Sequence, residues 1–183
     1  MNKKYLQALC ECGILVALAI VLSFLEIQLG ASGGSINFTM LPLLIIAYRR
    51  GPVWAIGSGA VFGFIKCVIG GGVSYGLPSI ILDYIVAYGL VGVAGLFMKN
   101  KKLIEVGSFV GCLLRYAVTV FSGIVLWAIT EPTEVAGFGV FANPLIYSLV
   151  YNATYMVPSS IGCIVLMAAL RPVLSRMDKM FSK

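Results

Sequence analysis

Residues 79–102 read SIILDYIVAYGLVGVAGLFMKNKK. The first twenty carry one charged side chain, Asp83, and the last four carry three, Lys99, Lys101 and Lys102. An α-helix rises about 1.5 Å per residue and the hydrocarbon core of a bilayer is about 30 Å thick, so about 20 apolar residues cross it. Lipid offers no partners to backbone N–H and C=O groups, and a lone helix satisfies its own. The stretch therefore predicts a membrane-spanning helix that stops on a basic turn.

Five more apolar segments flank it, at 5–29, 37–48, 53–69, 103–130 and 144–170. Segment 37–48 is short for a crossing, and is expected to tilt or lie partly re-entrant. Pro158 is expected to kink the last segment. Lys3 and Lys4 before segment one, and Leu29-Gly30-Ala31 at its end, have the flavour of a signal peptide, but the apolar run is longer than a usual signal core. The glycine-rich links 31–35 and 70–76 are expected to act as gates. The expected fold class is an all-α membrane protein with six transmembrane helices, both termini cytoplasmic, in a single domain spanning 1–183.

Composition agrees. The chain is 60% hydrophobic and only 11% charged, too little charge for the surface of a soluble domain of 183 residues. Its net charge of +6 follows from topology, not from nucleic-acid binding. Lys3, Lys4, Arg49, Arg50, Lys99, Lys101, Lys102, Arg171, Arg176, Lys179 and Lys183 make eleven of the thirteen basic residues. With six crossings all eleven fall on one side, and the opposite loops hold Glu131 and Glu134 but no Lys or Arg. The positive-inside rule puts that basic side in the cytoplasm.

Several chemistries are poorly served. The chain has no histidine, the commonest metal ligand and general base. Cys10, Cys12, Cys67, Cys112 and Cys163 lie in apolar runs without paired zinc spacing, and read as small buried residues. No G-x-x-x-x-G-K-[ST], H-E-x-x-H or G-x-S-x-G occurs, so any ATP-driven motor must be a separate chain. No metal, catalytic residue or cofactor is expected in this chain.

Polar residues inside apolar segments usually face a partner or a cavity. Lys66, Asp83, Tyr84, Thr119, Ser122, Trp127, Tyr147, Tyr151 and Asn152 gather in the outer half, with Arg115 nearer the middle. Such a group suits a pocket for a flat, cationic heterocycle: aromatic faces attract cations, a carboxylate adds charge, and an amide reads a ring edge. Other readings stand beside it. Asp83 could pair with Lys66 or Arg115, Asn152 could join helices, and Trp127 and the tyrosines could form an interfacial belt. Glu11 and Glu105 lie near cytoplasmic ends, within reach of water. Small residues four apart on segment one (Ala8 and Cys12, Gly13 and Ala17, Ala19 and Ser23) permit close packing, either internally or against another membrane subunit.

These residues carry a family likeness. Gly33-Gly34-Ser35 precedes Met40-Leu41-Pro42 and then Arg49-Arg50-Gly51. Leu82-Asp83-Tyr84 precedes Gly89, Arg115-Tyr116 precedes Ser122-Gly123, and Trp127 is followed by Tyr147-Ser148-Leu149-Val150-Tyr151-Asn152. Over most of its length the chain resembles the thiamine-specific S-components, the substrate-binding subunits of energy-coupling factor (ECF) transporters. The resemblance implies a pocket near the outer face, a transmembrane coupling subunit as partner, and two ATPase subunits that use ATP. By motif match it implies that Asp83 faces the cationic ligand, with Tyr84, Trp127, Tyr147 and Asn152 at other contact positions. Thr119 stands where the family usually has histidine, Val73 stands where it usually has tyrosine (with Tyr75 a possible substitute), and the first outer loop lacks a tryptophan seen in some members. The expected function is capture of thiamine, in the bacterial cytoplasmic membrane, for ATP-driven uptake. A related heterocycle or thiamine precursor, a stand-alone proton-coupled transporter working through Asp83, and an intramembrane enzyme or structural subunit are the competing readings.

Overall fold

A computed structural model describes residues 3–29, 34–98, 100, 103–130, 134–135 and 139–181, with side chains 75, 127–130, 134, 140 and 178–181 excepted. Lys99, Lys101, Lys102, Glu131 and Lys183 lie outside the described residues. Six helices carry the fold: α1 (Lys3–Phe24), α2 (Met40–Arg50), α3 (Pro52–Ile69), α4 (Leu77–Phe97), α5 (Ile104–Thr130) and α6 (Pro144–Phe181). All but α2 are long and apolar enough to cross a membrane. A 3-10 turn (Gly72–Tyr75) links α3 to α4, and the described residues also form two small antiparallel hairpins, β1 (Ile27–Leu29) with β2 (Gly34–Ile36), and β3 (Glu134–Val135) with β4 (Gly139–Val140).

Helix α2 has 11 residues, about 16 Å of rise. Met40, Leu43, Leu44, Ile46 and Ala47 are almost wholly buried, so it runs inside the bundle rather than against lipid. It begins later than the expected segment because Asn37 holds a turn. The Asn37 side chain accepts from Thr39 Oγ1 at 2.6 Å and from Thr39 N at 3.3 Å. It ends at Gly51, whose φ of +85° suits glycine, and Pro52 opens α3 at once.

Ion pairs order the passes. Glu11 of α1 accepts from Arg49 and Arg50 at the end of α2, and Arg171 of α6 donates to Glu105 of α5 at 3.0 Å. Both carboxylates keep partial exposure to solvent, as their place near the helix ends implies, and add an ion pair to it. Beyond the other end of α1, Lys66 of α3 donates to Glu26 at 2.8 Å. The chain thus passes back and forth between a Glu11 end and a Glu26 end, with α2 as a short return.

Other boundaries also differ from the sequence reading. Segment one stops at Phe24, and 27–29 leave the helix to pair with 34–36, so the expected 31–35 loop is partly strand. The last segment runs to Phe181 as one helix through Pro158 and Pro172, not to residue 170. Its 38 residues rise about 57 Å, more than a bilayer core needs. Within α4, residues Ile80–Val86 form a π-helical stretch.

Packing is inside-out relative to a water-soluble protein. Ile14, Val53, Phe24 and Leu77 are among many large apolar side chains left exposed, while Asn37, Thr39, Ser108, Arg115, Ser122, Ser148 and Asn152 are buried. Lipid is as apolar as leucine, so close fit and interior polar contacts hold the helices together. Backbone approaches backbone closely at the α3–α4 seam. A Cβ at Gly59 would lie 2.3 Å from the Tyr88 carbonyl oxygen, and one at Gly63 would lie 2.2 Å from that of Tyr84. On α1, Ala8, Cys12 and Ala19 pack inward, whereas Gly13 has open space around it.

Candidate binding site

A cavity of about 460 Å³ opens at the Glu26 end between the β1–β2 hairpin and α3 to α6. Asp83, Tyr84 and Tyr88 reach it from α4, Arg115 and Thr119 from α5, and Tyr147, Tyr151, Asn152 and Tyr155 from α6. Glu26, Ser35 and Lys66 line it on the hairpin side.

The π-helical stretch places both Asp83 and Tyr84 in the wall. A π-turn inserts an extra residue into the helical repeat and re-aims its side chains, and such turns are frequent at functional sites. Asp83 Oδ2 accepts from Ser79 Oγ at 2.8 Å. Asp83 belongs to no ion pair among the described residues, since Lys66 is taken by Glu26. Its possible pairing with Lys66 is therefore not what the structure has. Arg115 lies over the Tyr88 ring, 4.0 Å from its centroid, and its Nε has no hydrogen-bond partner among the described residues.

On α6, tyrosines recur every four residues and share one face. Tyr147 stacks on Tyr151 with centroids 5.7 Å apart and planes 9° apart, and Tyr151 meets Tyr155 edge-on at 5.7 Å. Asn152 lies among them. Its Nδ2 donates to Ser148 O at 2.9 Å, to Ser148 Oγ at 3.1 Å and to Thr119 O across the α5–α6 seam at 3.4 Å. Asn152 thus joins helices as well as lining the cavity. Gly123 permits this approach, because a Cβ there would stand 2.2 Å from Ser148 Oγ. Thr119 Oγ1 donates to Tyr116 O at 2.9 Å.

The structure brings together five of the six expected site residues: Asp83, Tyr84, Thr119, Tyr147 and Asn152. Trp127 lies in α5 one residue beyond Leu126, which lines the cavity; the Trp127 side chain lies outside the described residues, as does that of Tyr75. Val73 is exposed and is not part of the wall. Sequence reasoning missed Glu26, Ser79, Tyr88 and Tyr155. Glu26 had a signal: it and Lys66 are opposite charges at the same end of neighbouring segments.

Glu26 lies beyond α1, where Ser35 Oγ donates to it at 2.7 Å beside the Lys66 bond. Burial pushes its carboxyl up, but the hydrogen bonds from Lys66 and Ser35 and the Lys66 charge outweigh that and hold it below the usual value.

Known proteins place this architecture. Residues 9–179 match the family described as Thiamine transporter protein (Thia_YuaJ). The chain belongs to that family. It is 34% identical to the thiamine transporter ThiT of Bacillus subtilis, over 98% of this chain and all of the relative. It is 27% identical to the thiamine transporter ThiT of Lacticaseibacillus paracasei, over 93% of this chain and 89% of the relative. A solved structure of ThiT from Listeria monocytogenes superposes with a TM-score of 0.80 at 25% identity, covering 94% of this chain and 98% of that one. The protein is therefore a multi-pass, all-helical membrane transporter rather than an enzyme.

Proposed function

We propose that the chain is the thiamine-capturing S-component of an ECF-type transporter, and that the cavity at its Glu26 end is the vitamin site. The observation that carries this reading is the wall itself. A carboxylate free of ion pairing, Asp83, shares about 460 Å³ with a tyrosine ladder and a buried amide, inside a bundle whose outer surface is apolar. Thiamine is a flat heterocyclic cation with an amino-substituted second ring. Its positive charge suits Asp83 and the aromatic faces, and its ring edge suits Asn152.

Asp83, Tyr84, Thr119, Trp127, Tyr147 and Asn152 are the residues assigned to binding. The basic Glu11 end faces the cytoplasm of a bacterial cell membrane, so the cavity faces outward. The chain lacks a P-loop, so ATP is used by two partner ATPases through a transmembrane coupling subunit, and this chain holds no cofactor. The open face of α1 around Gly13, beside a groove formed with Trp54 and Gly57 of α3, suits close approach by that subunit.

The test is titration of thiamine into the purified, detergent-solubilised chain, followed by tryptophan fluorescence and by calorimetry. Saturable one-to-one binding is expected. Absence of binding by protein that melts cooperatively would overturn the vitamin assignment and redirect the search to related heterocycles.

A further inference from the structure

Asn152 has four hydrogen-bonding sites: two N–H donors and two lone pairs on Oδ1. Both donors are engaged inside the protein, by the oxygens of Ser148 and by Thr119 O. Turning the amide over would set Oδ1 against those carbonyl oxygens. One Oδ1 lone pair accepts the Tyr155 hydroxyl proton. What Asn152 has left for a ligand is a single acceptor site.

Tyr155 is itself held from several sides. Its ring meets Tyr151 edge-on, and Gly34 of the hairpin lies so near that an added Cβ would stand 2.6 Å from Cδ1. Its carbonyl accepts from Ser159 Oγ at 2.7 Å, and Ser159 Oγ in turn accepts the Asn37 backbone N–H at 3.1 Å. The hydroxyl that fills one Asn152 lone pair is therefore not free to wander.

We propose that Tyr155 is a positioning residue: its hydroxyl holds the Asn152 Oδ1 in place while Ser148 and Thr119 occupy both N–H donors, and the one acceptor site that remains selects a heterocycle bearing an N–H donor over its oxo counterpart. The proposal rests on the thiamine reading. The amino group of the pyrimidine ring supplies the donor. An oxo group in its place directs lone pairs at a lone pair, and Asn152 has no spare N–H to offer it.

The test uses thiamine and oxythiamine, in which an oxo group replaces the amino group, on the full chain in detergent. The wild type is expected to favour thiamine at least tenfold. Asn152→Ala brings the two affinities within about threefold of each other. Tyr155→Phe weakens thiamine about fivefold in the wild-type background, yet weakens it less than twofold further when Asn152 is already Ala. A ring that only packs would give the same loss in both backgrounds, and that outcome overturns the positioning role. Equal affinity of the wild type for the two compounds overturns the selectivity while leaving the vitamin site standing. Failure of the wild type to bind thiamine overturns both. Should Tyr155→Phe yield no folded protein, the Asn152→Ala comparison decides: a thiamine preference over oxythiamine that Asn152→Ala leaves unchanged overturns the proposal.

Discussion

On the proposed reading Asp83 carries the charge recognition. It accepts a hydrogen bond from Ser79 at 2.8 Å and forms no ion pair among the described residues. Asp83→Asn keeps volume and a hydrogen bond to Ser79 but removes the charge. It is expected to weaken thiamine at least tenfold, about 1.4 kcal/mol or more. Unchanged affinity in the same titration would remove Asp83 from the charge-bearing role. Glu26 makes a different prediction. Its folded-state value lies below the ordinary one, so the clasp it forms with Lys66 and Ser35 is intact at neutral pH and is lost as pH falls through the folded value. The melting temperature is expected to drop as the pH falls from the ordinary carboxylate range through that lowered value, and Glu26→Gln should flatten part of that acid limb while lowering the neutral plateau. An acid limb of equal depth in the variant would mean that other carboxylates set it. Asp83 and Tyr84 were legible in the sequence because a charge inside an apolar run is expensive and needs a reason. Glu26 was missed because it lies at the end of its segment, where charge is cheap, and only its match with Lys66 at the same end marked it. Tyr155 was missed, although it stands at the same four-residue spacing as Tyr147 and Tyr151.

Elements reveal what hydropathy does not. Five long segments were readable because their apolar runs match the bilayer, and their lengths vary with where polar punctuation falls. The hairpin at 27–29 and 34–36 was hidden because its first strand continues the apolar run of α1. The π-helical stretch at Ile80–Val86 was hidden as well, since a one-residue shift in hydrogen bonding leaves no compositional trace. Small residues at four-residue spacing were noticed on α1, yet the closest backbone contact falls at Gly59 and Gly63 of α3 against α4. Spacing alone does not say which of two such faces has a partner. Gly63→Val is expected to force α3 from the Tyr84 backbone and to cost about 1–3 kcal/mol by overpacking, with a lower melting temperature and weaker thiamine binding together. Gly13→Val, on the open face of α1, should change neither. If both variants melt alike, the α3–α4 seam is not the constraint its geometry implies.

At the scale of the whole molecule, polarity is turned inward and charge is sorted to the two ends. Lys66 pairs with Glu26 at the cavity end, and Glu11 and Glu105 pair with arginines at the other. The cavity opens at the Glu26 end, and on the proposed reading this chain captures the vitamin while partner subunits drive its delivery. In proteoliposomes the isolated chain is therefore expected to bind thiamine without accumulating it. Accumulation should appear only when a coupling subunit and ATPases are present with ATP. The open face of α1 allows the two tasks to be parted by one substitution. Gly13→Leu adds bulk where no neighbour stands within 4 Å, so binding by the isolated chain should survive while ATP-driven uptake falls at least tenfold. Uptake by the isolated chain, driven by a proton gradient and abolished by Asp83→Asn, would instead make the chain a secondary transporter. In that case the carboxylate in the wall would be a proton carrier rather than a counter-charge for the vitamin.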